Sequence, residues 1–180
     1  MKQALVTITI GAMLFTVGCS SSLDVHKVTL QSTSDQCTEN GCFQFYSFTA
    51  GTLETPPADP GQIDLVCYFD CDDCFHGTLF GHEDRPGSLF PIGHLSWHKL
   101  KKLTVPTKNM PSVTGINLTE DNEGLAFWVK TGRGPYILAR IKSIKSATYA
   151  DLTAGGTASV KIEWARPRMG EFLVYHPSAN

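Results

Sequence analysis

Apolar and polar side chains alternate most regularly toward the C-terminal end of the chain. Over residues 157–164, Ala158, Val160, Ile162 and Trp164 point one way, while Thr157, Ser159, Lys161 and Glu163 point the other. A period of two sustained over eight residues predicts a half-buried β-strand. Upstream, Leu125, Phe127 and Val129 alternate with Ala126, Trp128 and Lys130 in the same way. Thr131-Gly132-Arg133-Gly134 then makes a turn, with glycine supplying the positive φ angles that a tight hairpin needs. The chain returns through residues 135–144, where Ile137, Ala139 and Ile141 share a face. The pattern therefore predicts an antiparallel meander of at least three strands.

Earlier in the chain, residues 24–30, 42–49 and 63–69 also read as strands. Residues 51–61, with Pro56, Pro57 and Pro60, read as the loop before the last of these. Residues 71–111 have no sustained period and hold four of the six histidines, which makes them the natural site of a binding loop carried by a rigid sheet. One short helix is expected around residues 95–103.

Composition agrees with this pattern. With 16 Gly, 10 Pro and many β-branched and aromatic residues, the chain is expected to be all-β, an antiparallel β-sandwich or meander. One long loop region and at most one short helix complete the expectation. Residues 24–180 suit a single domain large enough to bury its own core. Charge changes the picture only in its placement. Residues 19–98 carry 2 basic and 11 acidic side chains, residues 99–180 carry 12 and 6. Such polarity fits two halves of one domain that attract each other, or a basic face built from Lys99, Lys101, Lys102 and Lys108.

The first residues differ from all the rest. Lys2 precedes an apolar run from Ala4 to Val17, too short to span a bilayer as a helix of about 20 residues, and Gly18-Cys19-Ser20-Ser21-Ser22 ends it. This is the form of an export signal over residues 1–18. Thr16-Val17-Gly18-Cys19 resembles the lipobox of bacterial lipoproteins, although Thr16 stands where Leu is usual. The resemblance implies a palmitate-type acyl anchor on Cys19, a tether over residues 19–23 and a place in the cell envelope. Ser20 after the Cys implies the outer membrane where the cell has one. Each buried methylene of an acyl chain contributes about 0.8 kcal/mol, so several chains would hold the domain at the membrane. Nucleic acid is not an expected partner there.

Export makes disulfides the default for Cys37, Cys42, Cys67, Cys71 and Cys74. Five thiols leave one over. Two schemes suit the spacing. One is local, Cys37 with Cys42 and Cys71 with Cys74. The other is a ladder in which a hairpin of the second and third predicted strands places Cys42 opposite Cys71 and Cys37 near Cys74. Both leave Cys67 as a thiol, since on a strand it lies about 13 Å from Cys71.

Other chemistry is thinner. Cys67, Cys71 and Cys74 share the spacing of a radical S-adenosylmethionine cluster motif, but those enzymes use a large α/β barrel in a reducing compartment. With His76 they could form a zinc set, for which oxidation competes. Asp70, Asp72 and Asp73 fail the Ca²⁺-loop pattern because Cys74 takes a ligand position, and a solvated acidic turn is expected instead. No nucleophile elbow, HExxH helix or phosphate-binding glycine loop occurs, so no enzyme is expected.

Phe127-Trp128-Val129-Lys130-Thr131, then Gly134 to Ile144 and Gly156 to Trp164, resemble the C-terminal hairpin and last strand of the HmuY-like haem-binding lipoproteins, over about a third of the chain. The resemblance implies a lipid-anchored all-β domain that grips a flat apolar ligand, with His or Met side chains as axial ligands to haem iron. Here the corresponding region offers His76, His82, His94, His98 and Met110, of which His94, His98 and Met110 are the haem-ligand candidates. Two classes of role follow: an interaction or structural lipoprotein with an envelope protein partner, or a module for haem or another small apolar ligand. The first would show a flat exposed aromatic patch, Trp97 or Trp128 being the residues expected in it. The second would show an apolar pocket with converging imidazole or thioether groups.

Overall fold

The computed structural model describes residues 24–32, 37–38, 41–53, 59–69, 77–81, 88–100, 110–132, 136–147 and 149–166. They form two antiparallel sheets, as the alternation requires. Sheet A has the order β1 (His26–Ser32), β11 (Ala158–Ala165), β10 (Tyr136–Lys145), β9 (Leu125–Lys130), β7 (Leu89–His94). Sheet B runs β2 (Cys37–Thr38), β3 (Gly41–Ser47), β5 (Leu65–Phe69), β6 (Gly77–Phe80), β8 (Gly115–Leu118), with β4 (Gly51–Leu53) also paired to β3. The expected all-β architecture is thus an open β-sandwich.

The predicted meander is the centre of sheet A. In β10 against β11, Ile141 faces Ile162 and Ala139 faces Trp164, and in β10 against β9, Ile137 faces Val129 and Ala139 faces Phe127. Each of these side chains is buried between the sheets. From sheet B, Cys42, Tyr46, Leu65, Cys67, Phe69, Leu79, Ile116 and Leu118 fill the other half of that core. Cross-strand pairs of this kind are the stabilising units of a sheet, and burial of their apolar area dominates the gain.

Two polar fixtures join the sheets. Asp64, 5% exposed, accepts hydrogen bonds from the Phe48 N–H (2.8 Å), the Gly132 N–H (3.1 Å) and the Ser47 hydroxyl (3.4 Å). It thereby ties the end of β3 and the start of β5 to the turn after β9. Gly132 is required there, since a Cβ would run into the Gly61 carbonyl oxygen. At one end of the sandwich Trp164 stacks on His26 with ring centroids 4.3 Å apart and meets Phe48 edge-on at 5.1 Å. Arg166 lies over the Trp164 ring and donates to the Phe48 carbonyl at 2.8 Å.

Several sequence expectations are corrected. The loop expected over residues 51–61 contains β4, because Gly51–Leu53 folds back on Phe45–Ser47. The long irregular region expected over residues 71–111 contains β6, too short at four residues to show a period, and β7, whose alternation is broken by a register shift between Pro91 and Gly93. The helix in that region is one turn, α1 (Trp97–Leu100), and a second, α2 (Tyr149–Thr153), precedes β11, so the described residues hold two short α-helices rather than at most one. The strand register differs from the one the ladder scheme of cysteines assumed, while Cys71 and Cys74 themselves lie outside the described residues. In β3 against β5, Cys42 faces Phe69, not Cys71, whereas in β2 against β3 it faces Cys37.

Candidate interaction face

Alternation along β3 has a consequence for the side away from the core. Cys42, Gln44 and Tyr46 are buried, so Phe43 and Phe45 stand on the outside of sheet B. The register carries this parity across the sheet. Phe45 faces Val66, and Val66 faces Phe80; Phe43 faces Tyr68, and Tyr68 faces Thr78. On β4, Leu53 faces Phe45, and on β8 Asn117 and Gly115 face Thr78 and Phe80. The outer surface of the described strands is therefore a run of aromatic rings and small neutral polar groups.

The rings are ordered against one another. Phe43 and Phe45 are nearly parallel, with an interplanar angle of 10° and centroids 6.5 Å apart, and Phe43 packs on Tyr68 at 4.8 Å. Gly41, with φ +116°, admits the Tyr68 ring over its Cα, where any Cβ would collide with it. Phe43 is 41% exposed, which singles it out among the large hydrophobic side chains described. Phe45, Tyr68, Phe80 and Leu53 are half-buried. None of these outward residues is ionisable at neutral pH. Val66, between Phe45 and Phe80 on this face, is only 1% exposed, so exposure on the face centres on Phe43.

The outer face of sheet A is built differently. Phe90, Ala126, Trp128 and Leu138 form a second apolar cluster there, and Leu95, Trp97, Leu100 and Met110 pack onto it. The strap over residues 95–100 is pinned by one short bond, the Trp97 indole N–H donating to Glu163 Oε2 at 2.7 Å. Glu163, 7% exposed, also faces Arg140, whose guanidinium approaches at 3.5 Å. Arg140 in turn donates to the Gly124 carbonyl. Beyond this covered cluster the face is basic and exposed, through Lys27, Lys142, Lys145 and Lys161.

The candidates named from the sequence fall as follows. His94 ends β7 in an exposed position, with Nε2 2.8 Å from the Asp121 carbonyl. His98 is exposed on α1, and Met110 packs against the sheet A cluster. Trp128 is fully buried and Trp97 is half-buried, so neither contributes to an exposed patch as expected. Lys99 is exposed, while Lys101, Lys102 and Lys108 lie outside the described residues. Cys19, Cys71, Cys74, His76, His82, Asp70, Asp72 and Asp73 also lie outside them.

Cys67 is a free thiol, as the cysteine count required, and burial pushes its pKa far above the usual thiol range. Cys42 is disulfide-bonded, to a sulfur outside the described side chains, so no complete bridge falls within them. Among the described residues no group of three or more His, Cys, Asp or Glu side chains could hold a metal ion, and no helix is long and apolar enough to cross a membrane.

The sequence missed the residues that matter most. Between Cys42 and Phe48 both parities are rich in apolar groups, and the parity containing polar Gln44 is the buried one. The available signal was Phe43 and Phe45 alternating opposite to Gln44. No protein-family model matches the chain, and no characterised protein is detectably similar to it in sequence.

Proposed function

We propose that this chain is a membrane-anchored envelope lipoprotein of the interaction or structural type, held by lipid on Cys19, that makes its contacts through the outer face of sheet B. The observation that carries the contact role is the neutral aromatic surface of Phe43, Phe45, Tyr68 and Phe80 on a rigid sheet. A large aromatic side chain such as Phe43, 41% exposed beside half-buried Phe45, Tyr68 and Phe80, gains by being covered. The buried ionisable groups support a role by contact rather than by chemistry. Asp64 and Glu163 are each committed to holding elements together, and Cys67 is sealed in the core. The anchor rests on the leader and Thr16-Val17-Gly18-Cys19, and the outer membrane on Ser20.

Two measurements test this. Mass spectrometry of membrane-fraction protein should find acylated Cys19 as the N-terminus, and Cys19→Ser should move the chain out of that fraction. An intact Met1 on cytosolic material would remove the anchor. For the face, a photo-crosslinking residue placed at position 43 in cells should give a defined adduct, and one at Lys161 on sheet A should not. Equal adducts, or none at position 43, would remove the contact role.

A further inference from the structure

We infer that the outer face of sheet A, where β1, β11 and the second half of β10 lie side by side, rests on the anionic phospholipid headgroups of the membrane and fixes the orientation of the anchored domain. The inference rests on the lipid-anchored reading above and adds to it which face meets the bilayer.

Strand register gathers the lysines. The parity that buries Leu30, Val160 and Ile162 turns Lys27 and Lys161 to the outside. Past the register shift in β10, Ser143 faces Lys161 and Lys145 faces Ser159, so Lys145 continues the same surface, and Lys142 within the shift is exposed beside it. With strands about 4.8 Å apart and about 3.3 Å per residue, the diagonal steps from Lys27 to Lys161 and on to Lys145 are each about 8 Å. That is within a Debye length at physiological salt, so the fields of neighbouring lysines add.

This charge is left uncompensated by the acidic groups around it. All four lysines are exposed, and none makes an ion pair among the described residues. Glu163 faces Lys27 across the strand pair, but it is 7% exposed and is already matched by Arg140 and the Trp97 indole. Asp24 is paired with His26. Glu123 accepts from the Ile144 N–H at 2.7 Å, and Glu120 and Asp121 belong to the 3-10 turn before it. Asp151 lies on α2, whose Leu152 packs into the core between the sheets. Between the lysines the outward groups are neutral and polar, Thr29, Gln31 and Ser143, with no large apolar side chain to enter the acyl region. Such a surface suits a layer of phosphates rather than an apolar partner.

The tether brings this surface to the bilayer. Lys27 is eight residues after Cys19, a reach of about 28 Å at most at roughly 3.5 Å per residue. β1 is the edge strand of sheet A, so the chain from the anchor enters the domain at the border of the basic surface. Each lysine held near an anionic leaflet strengthens binding roughly fivefold. Acyl chains supply retention, and the lysines supply orientation. The outer face of sheet B then points away from the bilayer, with Phe43 turned toward partners.

The acylated chain, inserted from detergent into preformed vesicles of phosphatidylcholine alone or with about one-third phosphatidylglycerol, tests this. The rate of amine acetylation is read at each lysine by peptide mass spectrometry. On anionic vesicles at low salt, Lys27, Lys142, Lys145 and Lys161 should react about fivefold or more slowly than on uncharged ones, and high salt should abolish the difference. A reporter amine placed on the exposed outer side of sheet B by Asn117→Lys should react alike on both. Lys142→Gln combined with Lys161→Gln should return Lys27 and Lys145 to their rate on uncharged vesicles at an unchanged melting midpoint. Equal rates on the two kinds of vesicle, or equal slowing of the sheet B reporter, would overturn the orientation. Slowing of the detergent-held chain by heparin, with none on anionic vesicles, would give the face to a soluble polyanion and overturn the membrane as its occupant. Intact mass before insertion reads the anchor separately: a chain without acyl mass fails the anchored reading, whereas an acylated chain with unslowed lysines fails the orientation alone.

Discussion

The two outer faces of the sandwich begin from the same problem and resolve it in opposite ways. Each carries aromatic side chains on the side of a sheet that the core does not use. On sheet A, Phe90 and Trp128 are covered by the chain's own strap, with Leu100 buried beneath it and Trp97 hydrogen-bonded to Glu163. On sheet B, Phe43 packs on Phe45 and Tyr68 yet keeps 41% of its surface in water. A face closed by local chain adds to the stability of the monomer. A ring that stays partly in water, as Phe43 does, contributes less to folding.

Matched substitutions on the two faces sharpen this difference. Phe90→Ala should destabilise the domain by about 3 kcal/mol or more, the usual cost of emptying a buried aromatic site, as a shift of the urea midpoint without a change of slope. A loss under about 1 kcal/mol would mean that the strap is not a true part of the core. Trp97→Phe removes the donor to a nearly buried carboxylate and should cost about 1 to 2 kcal/mol, with increased binding of a hydrophobic dye as the sheet A cluster opens. Equal stability and unchanged dye binding would deny the pin its role.

Cys67 lies in the core between the two faces and reports on both. Its folded pKa is raised by burial, so the native state keeps a proton that the unfolded chain gives up near pH 8.5. The unfolded state then binds fewer protons than the native state, and stability should be full below that pH and decline as pH rises above it. Buried Tyr46 is shifted in the same direction, chiefly by desolvation, and extends the decline above about pH 10. Cys67→Ala should flatten the first part of this profile. Thiol alkylation at pH 8 should follow global unfolding, and rapid labelling of the native protein would show that the interior is open to solvent. Smallest of all is the expected effect of Phe43→Ser on monomer stability, within about 0.5 kcal/mol, read from the same urea curves. A loss like that of Phe90→Ala would place Phe43 in the fold rather than at a contact surface.

Legibility of the sequence followed burial. In β9, β10 and β11 one side of each strand packs on the core, and the expected bounds lie within a residue or two of those observed. The strands β4, β6 and β8 span three or four residues each, too few for a period to emerge, and their pairing rather than their pattern makes them strands. The histidine-rich region drew attention as a site because imidazole is versatile, yet His94 and His98 are exposed, and the described apolar residues around them pack into the sheet A cluster. The aromatic outer face of sheet B went unnoticed for the opposite reason. Phe43, Phe45, Tyr68 and Phe80 come from three strands, and only the register of β3, β5 and β6 makes them neighbours.

Local chemistry was thus enough to specify an all-β chain, a central three-stranded meander and a leftover thiol at Cys67, because alternation and counting act through residues near in sequence. Which parity of β3 turned inward, which aromatic surface the strap would cover and which would remain exposed depended on how two sheets stacked. Those choices arise from contacts between residues far apart in the chain, such as Asp64 with Gly132 and Trp97 with Glu163, whose energies exist only once the sandwich has formed.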